Sequence, residues 1–153
     1  ISRENRLRQI LRPQKERYDY IFIDCPPSLG LLTINALSAA DRALLPLQCE
    51  YYALEGVTQL LNTYEMIRKN LNPDLEIEGV LLTMFDARTN LSSQVADEAR
   101  NYFGRKVYDT QISRSVRLSE APSHGLPGII YDPKSRGAVE YQALADEFLT
   151  RQE

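Results

Sequence analysis

Residues 18–30 read Tyr-Asp-Tyr-Ile-Phe-Ile-Asp-Cys-Pro-Pro-Ser-Leu-Gly, and this stretch decides the fold. The run 20–23 is apolar and rich in β-favouring side chains, so it predicts a buried strand over 19–24. Asp24 stands at the carboxyl end of that strand. Pro26 and Pro27 follow, and they prevent the chain from continuing as strand or helix.

The position of Asp24 allows two interpretations. In the first, a buried strand simply ends in a turn that an aspartate caps, which is a common arrangement. In the second, the strand is a Walker B strand, whose acid holds the Mg²⁺ of a bound nucleotide, usually through water. The residues around Asp24, taken alone, leave both open.

The rest of the chain alternates amphipathic helices with apolar strands. The pattern predicts helices at 2–12, 31–40, 54–71, 91–103 and 135–150, a helical turn near 115–121, and strands at 42–47, 77–84 and 106–112. This order is typical of an α/β fold, a parallel sheet with helices on both faces. Ligands bind beyond the carboxyl ends of such strands, so the tips 24–30, 84–90 and 112–118 are expected to converge on one site. We expect residues 1–153 to form a single domain.

Composition excludes several classes of protein. With a net charge of −3, the chain is not a generally basic nucleic-acid coat, and any DNA contact must be local. The two cysteines, Cys25 and Cys49, have no metal-ligand or disulfide spacing; they indicate a reducing cytosol, and we expect both to be small buried side chains. No apolar run reaches the roughly 18 residues that a transmembrane helix needs.

The chain also lacks a phosphate-binding loop. A P-loop needs glycines whose backbone N–H groups wrap the phosphates, followed by a Lys that neutralises them. None of the seven glycines is followed by Lys. An amphipathic stripe of Leu7, Ile10 and Leu11 with arginines at its flanks (Arg3, Arg6, Arg8, Arg12) opens the chain instead.

Four segments together resemble ParA-type (Soj-like) partitioning ATPases. The segments are 24–37, 46–56, 82–89 and 116–125, and they occur in the family's order. The resemblance implies a P-loop NTPase-like fold of the SIMIBI/MinD type. It also implies that this chain is the C-terminal part of a longer protein, because the family's two-lysine P-loop lies on strands that precede the Walker B strand.

The family's activity supplies further expectations. The complete protein would be an ATP hydrolase that needs Mg²⁺ and ATP, while this chain alone would be inactive. It would form a homodimer that binds DNA without sequence preference. A ParB/Spo0J-type partner would stimulate hydrolysis. The expected location is the cytoplasm, associated with the nucleoid and not with a membrane.

The resemblance also assigns roles to individual residues. Asp24 becomes the Walker B acid, which is both the catalytic and the Mg²⁺-binding residue. Switch II corresponds to Pro26, Pro27, Ser28 and Gly30; the adenine contacts to Met84, Phe85, Ser113 and Ser115; and the DNA contacts to Arg88, Arg114 and Arg117. Less specific basic candidates for the same surface are Arg105, Lys106, Lys134 and Arg136.

Some positions depart from the family or separate it from relatives. The family commonly has Pro-Arg-Asn where this chain has Ser113-Arg114-Ser115, so the ring that fixes the backbone is missing. His124 has no evident nucleophile or carboxylate partner, and we expect it to be structural. MinD-like proteins end in a basic membrane helix, whereas the polar face of the last helix here is acidic, so it is expected to pack on the sheet.

Two other functions stay open at the level of sequence. The chain could be a non-enzymatic truncated module that binds only DNA or a partner. It could also belong to a ParA-like ATPase that positions a different cargo. An upstream P-loop distinguishes the first alternative, and a neighbouring ParB-like gene distinguishes the second.

Overall fold

The computed structural model describes residues 3–26, 30–51 and 53–152. The strands are β1 (Arg42–Gln48), β2 (Glu76–Phe85) and β3 (Val107–Ser113). The helices are α1 (Arg6–Leu11), α2 (Leu31–Ala39), α3 (Ala53–Asn70), α4 (Asn90–Phe103), α5 (Val116–Glu120), α6 (Gly128–Tyr131) and α7 (Arg136–Gln152).

The three strands form one sheet in the order β1-β2-β3. Strands β2 and β3 run parallel, with Val80 opposite Val107 and Phe85 opposite Ser113. The register shifts twice along this pair, the second time between Leu82 and Phe85. Helices alternate with the strands along the chain, so the prediction of a parallel α/β fold is confirmed.

The described chain divides into two compact units. The first consists of Ile1–Ala43 and Glu55–Glu78. Its core is formed by Tyr64, Ile67 and Leu75, and the Tyr64 hydroxyl donates a hydrogen bond to the Leu75 carbonyl at 2.9 Å. Asn72 is also buried in this unit, where its amide donates to two carbonyls at the end of α2, those of Leu37 and Ala40.

The second unit consists of Leu44–Leu54 and Gly79–Glu153. Its core is formed by Leu81, Tyr108 and Ile112, with Leu118 of α5 and Phe148 of α7 packed against it. The guanidinium of Arg151 lies 4.0 Å from the centre of the Tyr108 ring. Helix α7 therefore packs on β3, as its acidic polar face predicted.

The strand predicted at 19–24 is wrong for the described structure. Residues 20–26 carry no helix or strand, and Tyr20, Ile21 and Phe22 are 44%, 36% and 75% exposed. No strand in the described part of the chain pairs with this run. A run that lies beside no other strand cannot form the hydrogen-bond ladder of a sheet, whatever its β propensity.

The two cysteines differ from each other. Cys49 is buried, as predicted, and this burial raises the pKa of its thiol to about 11. The same prediction is wrong for Cys25, which is exposed. Its pKa is also raised, by partial desolvation and by the neighbouring charge of Asp24.

Other boundaries differ by small amounts. The helix predicted over 2–12 is split into a 3-10 turn at Arg3–Asn5, α1, and a second 3-10 turn at Arg12–Gln14 that contains Pro13. The four-residue helix α6, which follows Pro127, was not predicted. Within the described residues, no helix is long and apolar enough to cross a membrane.

Candidate nucleotide and nucleic-acid site

Asp24 lies in the first unit, on the irregular segment that precedes α2. Its side chain is exposed, and its carboxylate accepts no hydrogen bond from the described residues. Gly30 is the N-cap residue of α2, and its carbonyl accepts from Ile34 N at 3.1 Å. Of the switch II residues, Pro27 and Ser28 lie outside the described residues.

The exposed carboxylate of Asp24 has the ligand chemistry of the magnesium that the resemblance implies. Among the described residues, no three His, Cys, Asp or Glu side chains cluster as a metal site. Mg²⁺ prefers oxygen ligands and is usually held by one or two carboxylates together with waters and substrate phosphates. Asp24 fits this role as a single protein ligand.

The tip of β2 carries a strained residue in the second unit. Met84 has a φ of +53°, the left-handed region that side chains other than glycine rarely adopt. This backbone coincides with the second register shift between β2 and β3. Met84 and Phe85 are half-buried, so both still present apolar surface at the strand tip.

The tips of β2 and β3 are adjacent, as predicted. Arg114 N donates to the Phe85 carbonyl at 3.2 Å. Asp24 belongs to the other compact unit, so the convergence of all three tips stays a prediction.

The two serines of the β3 tip already have partners. Both N and Oγ of Ser113 donate to the Glu140 carboxylate at 2.7 Å, and Ser113 is buried. The Ser115 hydroxyl caps α5 by accepting from Leu118 N. Ser113 and Ser115 thus shape this loop through local hydrogen bonds, and their oxygens retain acceptor capacity for a ligand.

Arg88 forms a close ion pair within its own loop. Its Nε and Nη2 donate to the two oxygens of Asp86 at 2.9 and 2.7 Å. The hydrogen bonds from Arg88, followed by the charges of Arg88 and Arg114, hold the pKa of Asp86 well below its usual range. Arg88 and Arg114 therefore act on the same carboxylate.

Arg114 and Arg117 are also paired with acids. Arg114 lies 2.6 Å from Glu50. Arg117 lies 3.0 Å from Glu120 and 3.4 Å from Asp132, and the bond to Glu120 raises the pKa of its guanidinium. All three arginine side chains remain more than half exposed, at 88%, 57% and 57%.

The less specific basic candidates for the DNA-contact surface differ in their contacts. Arg136 is paired with Glu140 at 2.8 Å, whereas Lys134 is exposed. Arg105 accepts a bond from Arg151 through its carbonyl. His124 stacks on Tyr131 with ring centres 4.8 Å apart, a structural contact.

Sequence reasoning missed the acids that hold these basic and hydroxyl side chains. Glu120 alone was expected, because it stands three residues after Arg117 on a helix. Arg136 and Glu140 have the same kind of signal, a helical spacing of four. Glu50 and Arg114 are 64 residues apart, so only the fold could bring them together.

Similarity to known proteins identifies the family of the chain. The AAA domain family model matches residues 1–77. The chain is 66% identical over 147 residues to the sporulation initiation inhibitor protein Soj of Bacillus subtilis, covering 96% of this chain and 58% of that protein. The chain belongs to the ParA/Soj-type family.

Further similarities agree with this membership. The chromosome partitioning protein ParA of Myxococcus xanthus is 58% identical over 150 residues, which cover 98% of this chain and 53% of that protein. Cobyrinic acid a,c-diamide synthase from Mycobacterium smegmatis, solved with a bound ATP analog and magnesium, has a TM-score of 0.82 and 35% identity. That match covers 99% of this chain and 56% of the synthase chain. The chain thus spans little more than half the length of the relatives it matches.

Proposed function

We propose that this chain is part of a ParA/Soj-type ATPase of chromosome or plasmid partitioning. The observation that carries the proposal is the 66% identity to Soj across 96% of the chain. In this proposal the complete protein acts in the cytoplasm as an ATP-dependent homodimer on the nucleoid. It binds DNA without sequence preference, and a ParB/Spo0J-type partner stimulates hydrolysis.

The proposed nucleotide chemistry assigns Asp24 a purely electrostatic role. Bound Mg²⁺ would neutralise charge on the ATP phosphates, and phosphoryl transfer depends mainly on such positioning. The Asp24 carboxylate is exposed and accepts no hydrogen bond from the described residues, so it is available to orient a metal-bound water. Met84 and Phe85 would flank the adenine with apolar surface.

The proposed DNA contact uses Arg88, Arg114 and Arg117. Guanidinium groups bind backbone phosphates without reading bases. Each of the three is exposed but already paired with an acid, so a phosphate must compete with Asp86, Glu50 or the Glu120–Asp132 pair. This competition favours salt-sensitive binding of moderate strength, which suits a protein that is released after hydrolysis.

Asp24→Asn tests the nucleotide part of the proposal in a protein of the relatives' full length that carries this sequence. The substitution keeps the size of the side chain but removes its charge, so we expect ATP hydrolysis to fall at least about tenfold. Asp19→Asn, which changes an exposed acid five residues earlier, is the matched control and should leave hydrolysis intact. Normal turnover of the Asp24→Asn protein would contradict the Walker B role.

Arg88→Ala/Arg117→Ala tests the DNA part in the same protein. We expect ATP-dependent binding to weaken equally for unrelated duplexes, with the salt dependence shallower by about one unit for each lost phosphate contact. Hydrolysis without DNA should not change. Wild-type affinity and an unchanged salt slope would show that these arginines are an ordinary solvated surface.

A further inference from the structure

Two carboxylates of α7 accept backbone N–H groups of β3. Glu147 lies against the middle of the strand and accepts from Asp109 N and Thr110 N at 2.9 and 2.8 Å. Glu140, about two helical turns earlier, lies against the last residue of the strand, Ser113. The same chemistry is therefore present at two points along β3, and only the second lies at the strand tip.

The Glu140 carboxylate binds both donor groups of Ser113. Its Oε2 accepts from Ser113 N and its Oε1 accepts from Ser113 Oγ, each at 2.7 Å. Oε1 also accepts from Arg136 Nε at 2.8 Å, one turn earlier on α7. Hydrogen bonds to an ionised acceptor are stronger than those between neutral groups. The carboxylate therefore fixes both the backbone and the side chain of the residue that ends β3.

Ser113 depends on this carboxylate because the contact is shielded from water. Ser113 is 8% exposed, and the Glu140 side chain is 17% exposed. A buried N–H or hydroxyl that loses its partner keeps the cost of desolvation without a compensating bond. Removal of the carboxylate would leave two donors unpaired, and the end of β3 would have to rearrange to satisfy them.

Ser113 is also the first residue of the loop 113–115, which has attachments to other elements. Arg114 N donates to the Phe85 carbonyl at 3.2 Å, which joins the loop to the tip of β2. The Ser115 hydroxyl caps α5. A rearrangement at Ser113 would therefore move the surface that the tips of β2 and β3 share.

We propose that Glu140 is a positioning residue for nucleotide binding, which holds Ser113 and the loop 113–115 in the form that receives the adenine. The inference rests on the proposed function, in which the adenine lies at these strand tips. Glu140 acts through Ser113 and not on the nucleotide itself. A preformed loop loses less conformational entropy when a ligand binds, so the carboxylate raises the affinity for the base and leaves the phosphate chemistry unchanged.

The test measures steady-state ATP hydrolysis by a protein of the relatives' full length that carries this sequence. We expect Glu140→Ala to raise the KM for ATP about tenfold with kcat nearly unchanged, because the lost contact affects binding and not the transition state. Inhibition by magnesium tripolyphosphate, which has the phosphates but no base, should stay as in the unsubstituted protein.

Glu147→Ala is the matched control for this measurement. It removes a carboxylate of the same helix that accepts N–H groups of the same strand, but away from the strand tip. We expect it to lower the melting temperature and to leave the KM for ATP unchanged. A purely structural role of Glu140 would give both variants the same result.

A proline at position 113 offers a second test, because it should make Glu140 dispensable. Its ring fixes the backbone, and it has no N–H or hydroxyl to leave unpaired. Arg114 N, and not Ser113 N, donates to β2 at this point, so proline removes no bond of the sheet. Ser113→Pro/Glu140→Ala should therefore have a lower KM for ATP than Glu140→Ala alone, a gain that misfolding cannot produce.

The conservative variant Glu140→Gln tests the hydrogen bonds themselves. Its amide oxygen can accept from Ser113 N, and its amide nitrogen can donate to Ser113 Oγ, so the KM should stay within about threefold of the unsubstituted protein. A KM as high as that of Glu140→Ala would mean that these bonds do not hold the loop.

Other results would also overturn the inference. They are an unchanged KM in Glu140→Ala, an equal rise in Glu147→Ala, an equal weakening of ATP and tripolyphosphate, or no recovery in the proline variant. Failure of the proposed function would look different, since the unsubstituted full-length protein would then neither bind nor hydrolyse ATP. That result would overturn both proposals, whereas normal hydrolysis with an unchanged KM in Glu140→Ala would overturn only this one.

Discussion

Met84 shows how a single residue can set the geometry of the candidate site. A side chain in the left-handed region costs about 1–2 kcal/mol relative to glycine. Here that backbone lies at a register shift and at the tip of the strand that precedes Arg88. Strain of this kind is often found where a strand tip is shaped for a ligand.

We predict that the Met84→Gly variant is more stable than Met84→Ala, with a free energy of unfolding about 1 kcal/mol higher. Both changes remove the thioether, but only glycine adopts a φ of +53° without strain. Denaturant unfolding of the two variants measures the difference. Thr83→Gly and Thr83→Ala, one residue earlier in β2, form the control pair and should show the opposite order. Equal stabilities at position 84 would mean that its backbone is relaxed.

The sequence predicted candidate residues for the site but not most of the acids that pair with them. Met84 ends the strand predicted at 77–84 and Arg88 follows it, so their placement at a strand tip was accessible from pattern alone. Asp24 was placed at the end of a predicted strand that the described residues do not form. The bond between Glu140 and Ser113 joins α7 to a β3 tip 27 residues earlier. Contacts across such a separation depend on how the elements pack, and local periodicity carries no information about that.

Helix α7 is attached to β3 by carboxylates that accept backbone N–H groups. Glu147 accepts from Asp109 N at 2.9 Å and Thr110 N at 2.8 Å, and it pairs with Arg151 at 2.7 Å. In the order β1-β2-β3, β3 is an edge strand of the described sheet. Covering its N–H groups with a helix is one way in which proteins protect such an edge.

We predict that Glu147→Gln destabilises the chain at neutral pH by about 1 kcal/mol. Desolvation opposes ionisation of Glu147, but the bonds from Thr110 and Asp109 and the charge of Arg151 outweigh it, so its pKa is lowered. The stabilisation is therefore fully present above the ordinary glutamate pKa and is lost as the pH falls through the lowered value. Melting curves at several pH values should show the difference from wild type shrinking in acid.

Asp146→Asn is the control for this pH dependence, because Asp146 is the exposed neighbour of Glu147 on the same helix. It should change stability little at any pH. A difference between Glu147→Gln and wild type that stayed constant from neutral to acidic pH would exclude the ionised carboxylate as its cause.

The start of α7 packs closely against α5. This contact allows a prediction about how substitutions there change stability. A Cβ added at Gly137 would lie 2.6 Å from Leu118 Cδ1 and 3.2 Å from Ser115 Cβ. We expect Gly137→Ala to destabilise by about 1–3 kcal/mol through overpacking. A Cβ added at Gly56 of α3 would have no atom within 4 Å, so Gly56→Ala should slightly raise the free energy of unfolding.

Denaturant unfolding of a double-mutant cycle tests this contact. Leu118→Ala introduced into the Gly137→Ala protein should cost less than in wild type, because the truncated side chain relieves the collision. Additive losses would mean that the two helices do not press on each other.

The overall order of helices and strands was predictable because amphipathic period and turn residues are local signals. The strand predicted at 19–24 is absent from the described structure, because strand formation depends on contacts beyond the local sequence. The run 20–23 has the composition of a central strand, yet Phe22 is 75% exposed. Strand formation needs a partner strand, and the described sheet β1-β2-β3 does not include this run.

We predict that this run is paired and protected in a protein of the relatives' full length. Hydrogen exchange of the backbone amides of residues 20–23 should be fast in the 153-residue chain and at least about tenfold slower in the longer protein, because exchange reports the local opening free energy. The amides of Val80 and Leu82, in the paired region of β2, are the internal control and should be protected in both. Equally fast exchange at 20–23 in the longer protein would show that this run is not a strand of the family's sheet, and Asp24 would then lose the strand end on which its proposed metal-binding role depends.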